Sequence, residues 1–175
     1  MIQSARLIYR ELTDGDFAAV AAVMRDPGAA AVWEQRFTDE DVRDWIARRQ
    51  AGCRVNGIDY LLAVEKATGE SVGQIGLLRE TIAGEAVWGI GYILRTRFYG
   101  QGYATEGAQA MMDYAFGVLR APKVVCDIRP MNVSSIAVAK RLGMEEVGSF
   151  VKIYRGREMP HLIFQRMNRD CRAGA

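Results

Sequence analysis

Residues 91–116 read GYILRTRFYGQGYATEGAQAMMDYAF. The first few positions suit a strand and the second half suits a helix, yet Gly100 and Gly102 stand between them. An interior glycine costs a helix about 1 kcal/mol relative to alanine, so the pair needs a reason. A loop that leaves a strand and opens a helix collects unpaired N–H groups and the positive end of the helix dipole, which together make an anion site. Glycine there lets a phosphate reach the main chain with no Cβ in the way. Arg97 adds a charge-assisted contact. The competing reading is that both glycines only shape a turn, and the glycines alone do not separate the two.

Spacing excludes two familiar phosphate loops. A Walker A loop needs a lysine after its last glycine, and GQGYATEG has none. A dinucleotide fingerprint needs glycine or alanine where Thr105 stands, and it needs an early strand–helix–strand unit.

Outward from this segment, the chain reads as alternating elements. RLIYREL (6–12) alternates as a half-buried strand. TDGDFAAVAAVMRDP (13–27) predicts a helix capped by Thr13 or Asp14 and stopped by Pro27. FTDEDVRDWIARRQAG (37–52) predicts a second, with Thr38 and Asp41 in a capping box and Gly52 at its end. DYLLAVEK (59–66), SVGQIGLLRE (71–80) and VWGIGYILR (87–95) read as three strands joined by tight turns at Gly69 and Gly84, hence antiparallel neighbours.

The glycine loop and a helix over roughly 101–119 follow, then a strand in KVVCDIR (123–129). MNVSSIAVAKRLGM (131–144) predicts a helix with Asn132 as N-cap and Gly143 after its end. EEVGSFVKIYR (145–155) and MPHLIFQRM (159–167) close the chain as a hairpin. The order predicts one α/β domain over 1–168, a mixed sheet with helices on its faces, and a loose tail at 169–175.

The 175 residues carry a net charge of +2 and no Lys/Arg run, which gives no warrant for a nucleic-acid partner. No stretch of about 18 apolar residues occurs, so no membrane span is expected. Charges interrupt the first residues where a signal peptide needs an apolar run. Three scattered cysteines, Cys53, Cys126 and Cys171, point to a reducing, cytoplasmic setting, with Cys126 a core filler. His161 is the single histidine, which excludes a His-rich metal site and leaves no metal expected. Its apolar context suits a packed role. Trp33, Trp45 and Trp88 read as core or cleft-lining residues.

Arg97-Phe98-Tyr99-Gly100-Gln101-Gly102 matches the (Gln/Arg)-x-x-Gly-x-(Gly/Ala) signature of the GNAT superfamily of N-acetyltransferases. The longer run 91–116, with Asn132-x-x-Ser135 and Lys140-x-Leu142-Gly143, resembles the subgroup of ribosomal-protein alanine acetyltransferases. The resemblance covers roughly residues 5–167 and rests on two motifs in matching order. It implies a GNAT fold: a mostly antiparallel sheet of about six or seven strands, splayed between the fourth and fifth, with about four flanking helices.

It implies acetyl-CoA as donor, CoA as product, and direct transfer to a primary amine, either a peptide N-terminus or a small molecule, by a monomer or homodimer. Main-chain amides from Tyr99 through Gly100, Gln101, Gly102 and Tyr103 to Ala104, with Thr105, would cradle the pyrophosphate beside Arg97 and Phe98. Ile93 and Leu94 would offer main-chain groups to the pantetheine arm. Lys140 would reach the 3′-phosphate or serve only as a solvated helix charge.

Many relatives carry a tyrosine as proton donor where this chain has Ala139. Ser135 is the expected substitute, or else it supports the helix start or the cofactor. Asn132 orients the pantetheine, caps the helix, or does both. Relatives often place a glutamate just before Ile-Gly-Tyr, where this chain has Gly89; Tyr154 and Glu34 are the base candidates left. The two vacancies also allow a catalytically silent CoA-binding module.

Overall fold

A computed structural model describes residues 2–82 and 84–170. Cys171 and the tail from 171 onward lie outside them. Among the described residues, eight strands form one sheet in the order β1-β2-β3-β4-β5-β6-β8-β7, with five α-helices. The strands are β1 (Ile2–Gln3), β2 (Leu7–Arg10), β3 (Tyr60–Glu65), β4 (Ser71–Ile82), β5 (Glu85–Leu94), β6 (Lys123–Ile128), β7 (Glu145–Tyr154) and β8 (Arg157–Met167). The helices are α1 (Phe17–Met24), α2 (Pro27–Trp33), α3 (Asp39–Asn56), α4 (Tyr103–Gly117) and α5 (Val133–Arg141).

All neighbours pair antiparallel except β5 and β6, which run parallel. The expected splay falls at that pair; Ile2–Gln3 adds one strand ahead of those read from the sequence. No helix among the described residues is long and apolar enough to cross a membrane.

Two apolar layers sandwich the sheet. One face carries Tyr9, Ala63, Ile75, Leu77, Ile90 and Phe164 against α4 and α5, where Met111, Met112 and Ala139 are buried. The other carries Leu62 against Val20, Met24, Val42 and Ile46 of α1 and α3. Period-two alternation along each strand produces this division, since successive side chains point to opposite faces.

One helix boundary differs from the sequence reading, and one helix is additional. Helix α1 ends at Met24, ahead of Pro27 as expected, but Pro27 also opens a further helix: Asp26 accepts from the Gly28 N–H at 3.0 Å and caps α2, with Pro27 at its first position. Proline's fixed φ suits that position and its missing N–H costs nothing there. Helix α3 runs past Gly52 and ends at Gly57, whose φ of 77° is left-handed. Gly52 serves packing instead, because a Cβ there would overlap the Asp59 carboxylate. The Thr38 capping box holds, with Asp41 N–H donating to Thr38 Oγ1 at 3.1 Å and Thr38 N–H to Asp41 Oδ2 at 2.8 Å.

Candidate active site

The sheet opens at its centre. Strands β5 and β6 are in register only at Trp88–Val124 and Gly89–Val125. Beyond them β5 continues through Ile93 and Leu94 with β4 on one side, while β6 turns to β8. The edge of β5 that faces the gap therefore has no strand partner among the described residues. Cys126 lies at the base, its thiol donating to the Ile90 carbonyl at 3.4 Å. Burial pushes that thiol well above its ordinary value, so Cys126 is inert packing, as its apolar context predicted.

At the far end of β5 the chain makes a 3-10 turn, Thr96–Phe98, and enters the glycine loop. Gly100 and Gly102 have φ of 74° and 82°, a region that side chains rarely adopt. A Cβ on Gly100 would meet nothing within 4 Å, and one on Gly102 would meet only the Arg6 guanidinium at 3.5 Å. Among the described residues no acceptor takes the main-chain N–H groups of residues 100–105. The Tyr99 N–H is already used by the Thr96 carbonyl at 3.0 Å, so the free array begins one residue later than the sequence reading placed it.

Side chains around the loop turn away from this array. Phe98 is buried, and Tyr103 is buried with its hydroxyl on Glu65 and the Arg6 guanidinium 4.2 Å from its ring centre. Arg97 pairs with Glu70 and lies 4.6 Å over the Phe98 ring. Gln101 donates back to the Arg97 carbonyl at 3.1 Å. The Tyr99 ring lies over Gly28 of α2, and Asp26 Oδ2 accepts from the Thr96 N–H at 3.0 Å. Asp26 thus caps α2 with one oxygen and fixes the turn before the glycines with the other, a link that no local sequence signal announces.

Across the gap stands α5. Asn132 Oδ1 accepts from the Ser135 N–H at 3.2 Å and from the Ser134 hydroxyl at 3.0 Å, so its capping role is in place. Tyr92 reaches from β5 and donates to the Ser135 carbonyl at 3.1 Å, a contact the sequence reading missed. Ala139 is fully buried in the core and Lys140 is exposed in the last turn.

The face under α1 and α3 carries an aromatic row. Trp33 and Trp45 have ring centres 5.2 Å apart, and Trp45 and Tyr60 5.5 Å. The Trp45 indole N–H donates to buried Gln74 at 2.7 Å. Glu34 pairs with Arg129 at 2.8 Å and with Arg157 at 3.6 Å, which ties the end of α2 to β6 and β8. Tyr154 shares the strand face of Lys152 near the tip of the β7–β8 hairpin, where Arg155 meets Asp41 of α3 at 2.5 Å. The structure therefore brings Asn132 and Ser135 together on one side of the sheet and puts Tyr154 on the other. His161 is buried, with Nδ1–H donating to the Met159 carbonyl at 2.8 Å, a packed histidine.

A one-sided strand edge running into free N–H groups at a helix start suits an elongated ligand with an anionic end. Residues 6–145 match the family described as acetyltransferase (GNAT) domain. The uncharacterized protein YkkB of Bacillus subtilis is 30% identical over 162 residues, 92% of each chain. Solved structures share the fold, among them two from Vibrio cholerae. A putative ribosomal-protein-serine acetyltransferase from Vibrio cholerae has a TM-score of 0.81, 21% identity and coverage of 95% of this chain and 96% of that one. Spermidine N-acetyltransferase from Vibrio cholerae, solved with CoA and spermine, has a TM-score of 0.73, 16% identity and coverage of 95% and 96%. The chain belongs to the GNAT acetyltransferase family, and the parted strands and the glycine loop are that family's framework here.

Proposed function

We propose that this acetyltransferase moves an acetyl group from acetyl-CoA to a primary amine. The free N–H array over residues 100–105, facing open space beside the unpaired edge of β5, carries this reading. Those N–H groups would hold the pyrophosphate, and the main chain at Ile93 and Leu94 would align the pantetheine arm as an added strand. Lys140 would add charge at the phosphates, whereas Arg97, expected there from the sequence, is held by Glu70. Acetyl-CoA, when bound, supplies an acyl carbon activated by its thioester.

Ser135 and Asn132 would then stand at the α5 side of the gap, where a departing thiolate needs a proton and the pantetheine needs a polar anchor. The acceptor would enter from the face that carries Trp33, Trp45 and Tyr60. The aromatic row supports a primary amine on a small molecule or on a peptide N-terminus, and the ribosomal-type motifs favour the peptide. Calorimetry with acetyl-CoA, followed by thiol release with spermidine and with an alanine-initiated peptide, tests the reading. Submillimolar binding with turnover of either amine supports it. Absence of binding at millimolar acetyl-CoA overturns it, and binding with no turnover leaves a silent CoA-binding module.

A further inference from the structure

Gly89 leaves the backbone of β5 bare, and the structure fills the space above it from the next strand. Leu78 of β4 lies opposite Gly89, and Glu80, two residues on, shares its face. A Cβ built on Gly89 would lie 3.3 Å from Glu80 Cδ and 3.4 Å from Oε1. The Glu80 carboxyl thus lies over the bare backbone of β5. Gly89 is also the last β5 residue in register with β6, so the carboxyl stands where the strands part.

Other groups converge there. Lys152 Nζ lies 2.8 Å from Asp127 Oδ2 and 3.7 Å from Glu80 Oε2. Glu80 belongs to the β1–β5 half of the sheet, while Asp127 and Lys152 belong to the other half. The ion cluster straddles the opening of the gap. The Tyr60 hydroxyl covers Gly91, the next glycine on the same face, and a Cβ there would overlap it. Arg49 approaches from α3 but is held by Asp59 at 3.0 Å.

We propose that Glu80 is the base that takes the proton from the acceptor amine, with Asp127 and Lys152 positioning its carboxylate. This rests on the acetyl-transfer reading. Two carboxylates share one lysine, which leaves a net negative charge to draw in an ammonium group. The Glu80 side chain keeps 22% of its surface open, enough for a small cationic group to reach it. Burial, then the Asp127 charge, raises the Glu80 carboxyl above its ordinary value, and Lys152 and Arg49 work against that rise.

The protons balance. The ammonium gives one to Glu80, and the freed lone pair forms the C–N bond as the C–S bond breaks. The electron pair leaves on sulfur, which takes a proton, and the nitrogen loses its second proton. One proton per turnover passes to solvent through Glu80.

A purely structural cluster would lower stability without touching the pH profile, which defines the test. Thiol release from acetyl-CoA is measured with spermidine and with an alanine-initiated peptide from about pH 6 to pH 10, beside calorimetry with acetyl-CoA. Glu80→Gln lowers kcat at neutral pH by about 100-fold or more, and activity then climbs with pH as free amine accumulates. Acetyl-CoA affinity is unchanged, and Glu80→Asp recovers part of the rate. Asp127→Asn moves the acid limb to lower pH, because it removes a like charge and frees Lys152 for Glu80. Glu85→Gln, exposed and paired with Lys123, leaves the profile as it was. A Glu80→Gln enzyme with the normal pH profile overturns the base alone. A native protein that turns over neither amine overturns the acetyl-transfer reading and the base with it.

Discussion

Tyr92 and Ser135 are joined across the gap: the phenol of β5 donates to the main-chain carbonyl in the first turn of α5 at 3.1 Å. Burial holds that phenol well above its ordinary value, so it remains a donor throughout the neutral range. The bond fixes how far the helix stands from the strand that borders the gap. Tyr92→Phe removes it and leaves the carbonyl with its helical partner alone, a loss of about 1 kcal/mol in stability. Denaturant melts should show that loss, and turnover should fall severalfold while acetyl-CoA affinity changes less. A variant with full turnover would mean that α5 is positioned without this tie.

Gly102 and Gly84 share a backbone conformation, with φ of 82° and 83°, but not a location. Gly84 lies in the turn between β4 and β5, where a Cβ would meet nothing within 4 Å. Alanine at either position costs about 1–2 kcal/mol of backbone strain. The two variants should therefore melt alike. Only Gly102→Ala should weaken acetyl-CoA in calorimetry, by an order of magnitude or more, because its Cβ enters the space above the free N–H groups. Equal affinities would reduce the glycine to a turn residue.

Asp16 gives the fold a defined acid sensitivity. Its carboxylate accepts from the two terminal guanidinium nitrogens of Arg10, at 2.7 and 2.8 Å, and from the N–H and hydroxyl of Thr13, at 2.7 and 2.8 Å. The Arg10 contact first, and Thr13 after it, hold the carboxyl down at about 2 against an ordinary 3.8. A carboxyl lowered by folding stabilises the folded state above its unfolded value and loses that contribution as the pH falls toward the folded one. The contribution is about 2 kcal/mol and is lost below about pH 4. Asp16→Asn should be less stable at neutral pH, and its deficit should shrink as urea melts are taken from pH 5 toward pH 2. A deficit that stays constant would assign the loss to packing.

Much of the frame was legible because it rests on local rules. Strand alternation, the Thr38 box and the Asn132 cap each depend on residues within a turn of one another. Gly52 was misread because glycine at a helix end and glycine under a packed carboxylate look alike in sequence; Asp59 decides between them from another element. Pro27 follows the end of α1, as read, and also starts α2 because Asp26 caps it; that second use was not read because a proline stop already accounted for the residue. The glycine loop was legible for the same reason as the caps: its chemistry is main-chain chemistry. Glu80 was not, since nothing in the order of residues says that the glutamate facing Gly89 arrives from the strand beside it.

Ser135 is where the proposed chemistry can be separated from support. Its N–H is held by Asn132 and its carbonyl by Tyr92, so the main chain accounts for the fixed position of the residue without the hydroxyl. Ser135→Ala keeps both contacts and removes only Oγ. If the hydroxyl protonates the leaving thiolate, kcat should fall by about 100-fold with acetyl-CoA affinity and melting temperature near those of the native protein. A thioester with a more acidic thiol should narrow that gap, because a better leaving group needs less proton donation. If affinity falls and kcat does not, the hydroxyl is a contact for the pantetheine. A variant equal to the native enzyme in both would move the proton donor elsewhere along the gap, with the Tyr92 phenol, already within reach of the same helix turn, the next residue to change.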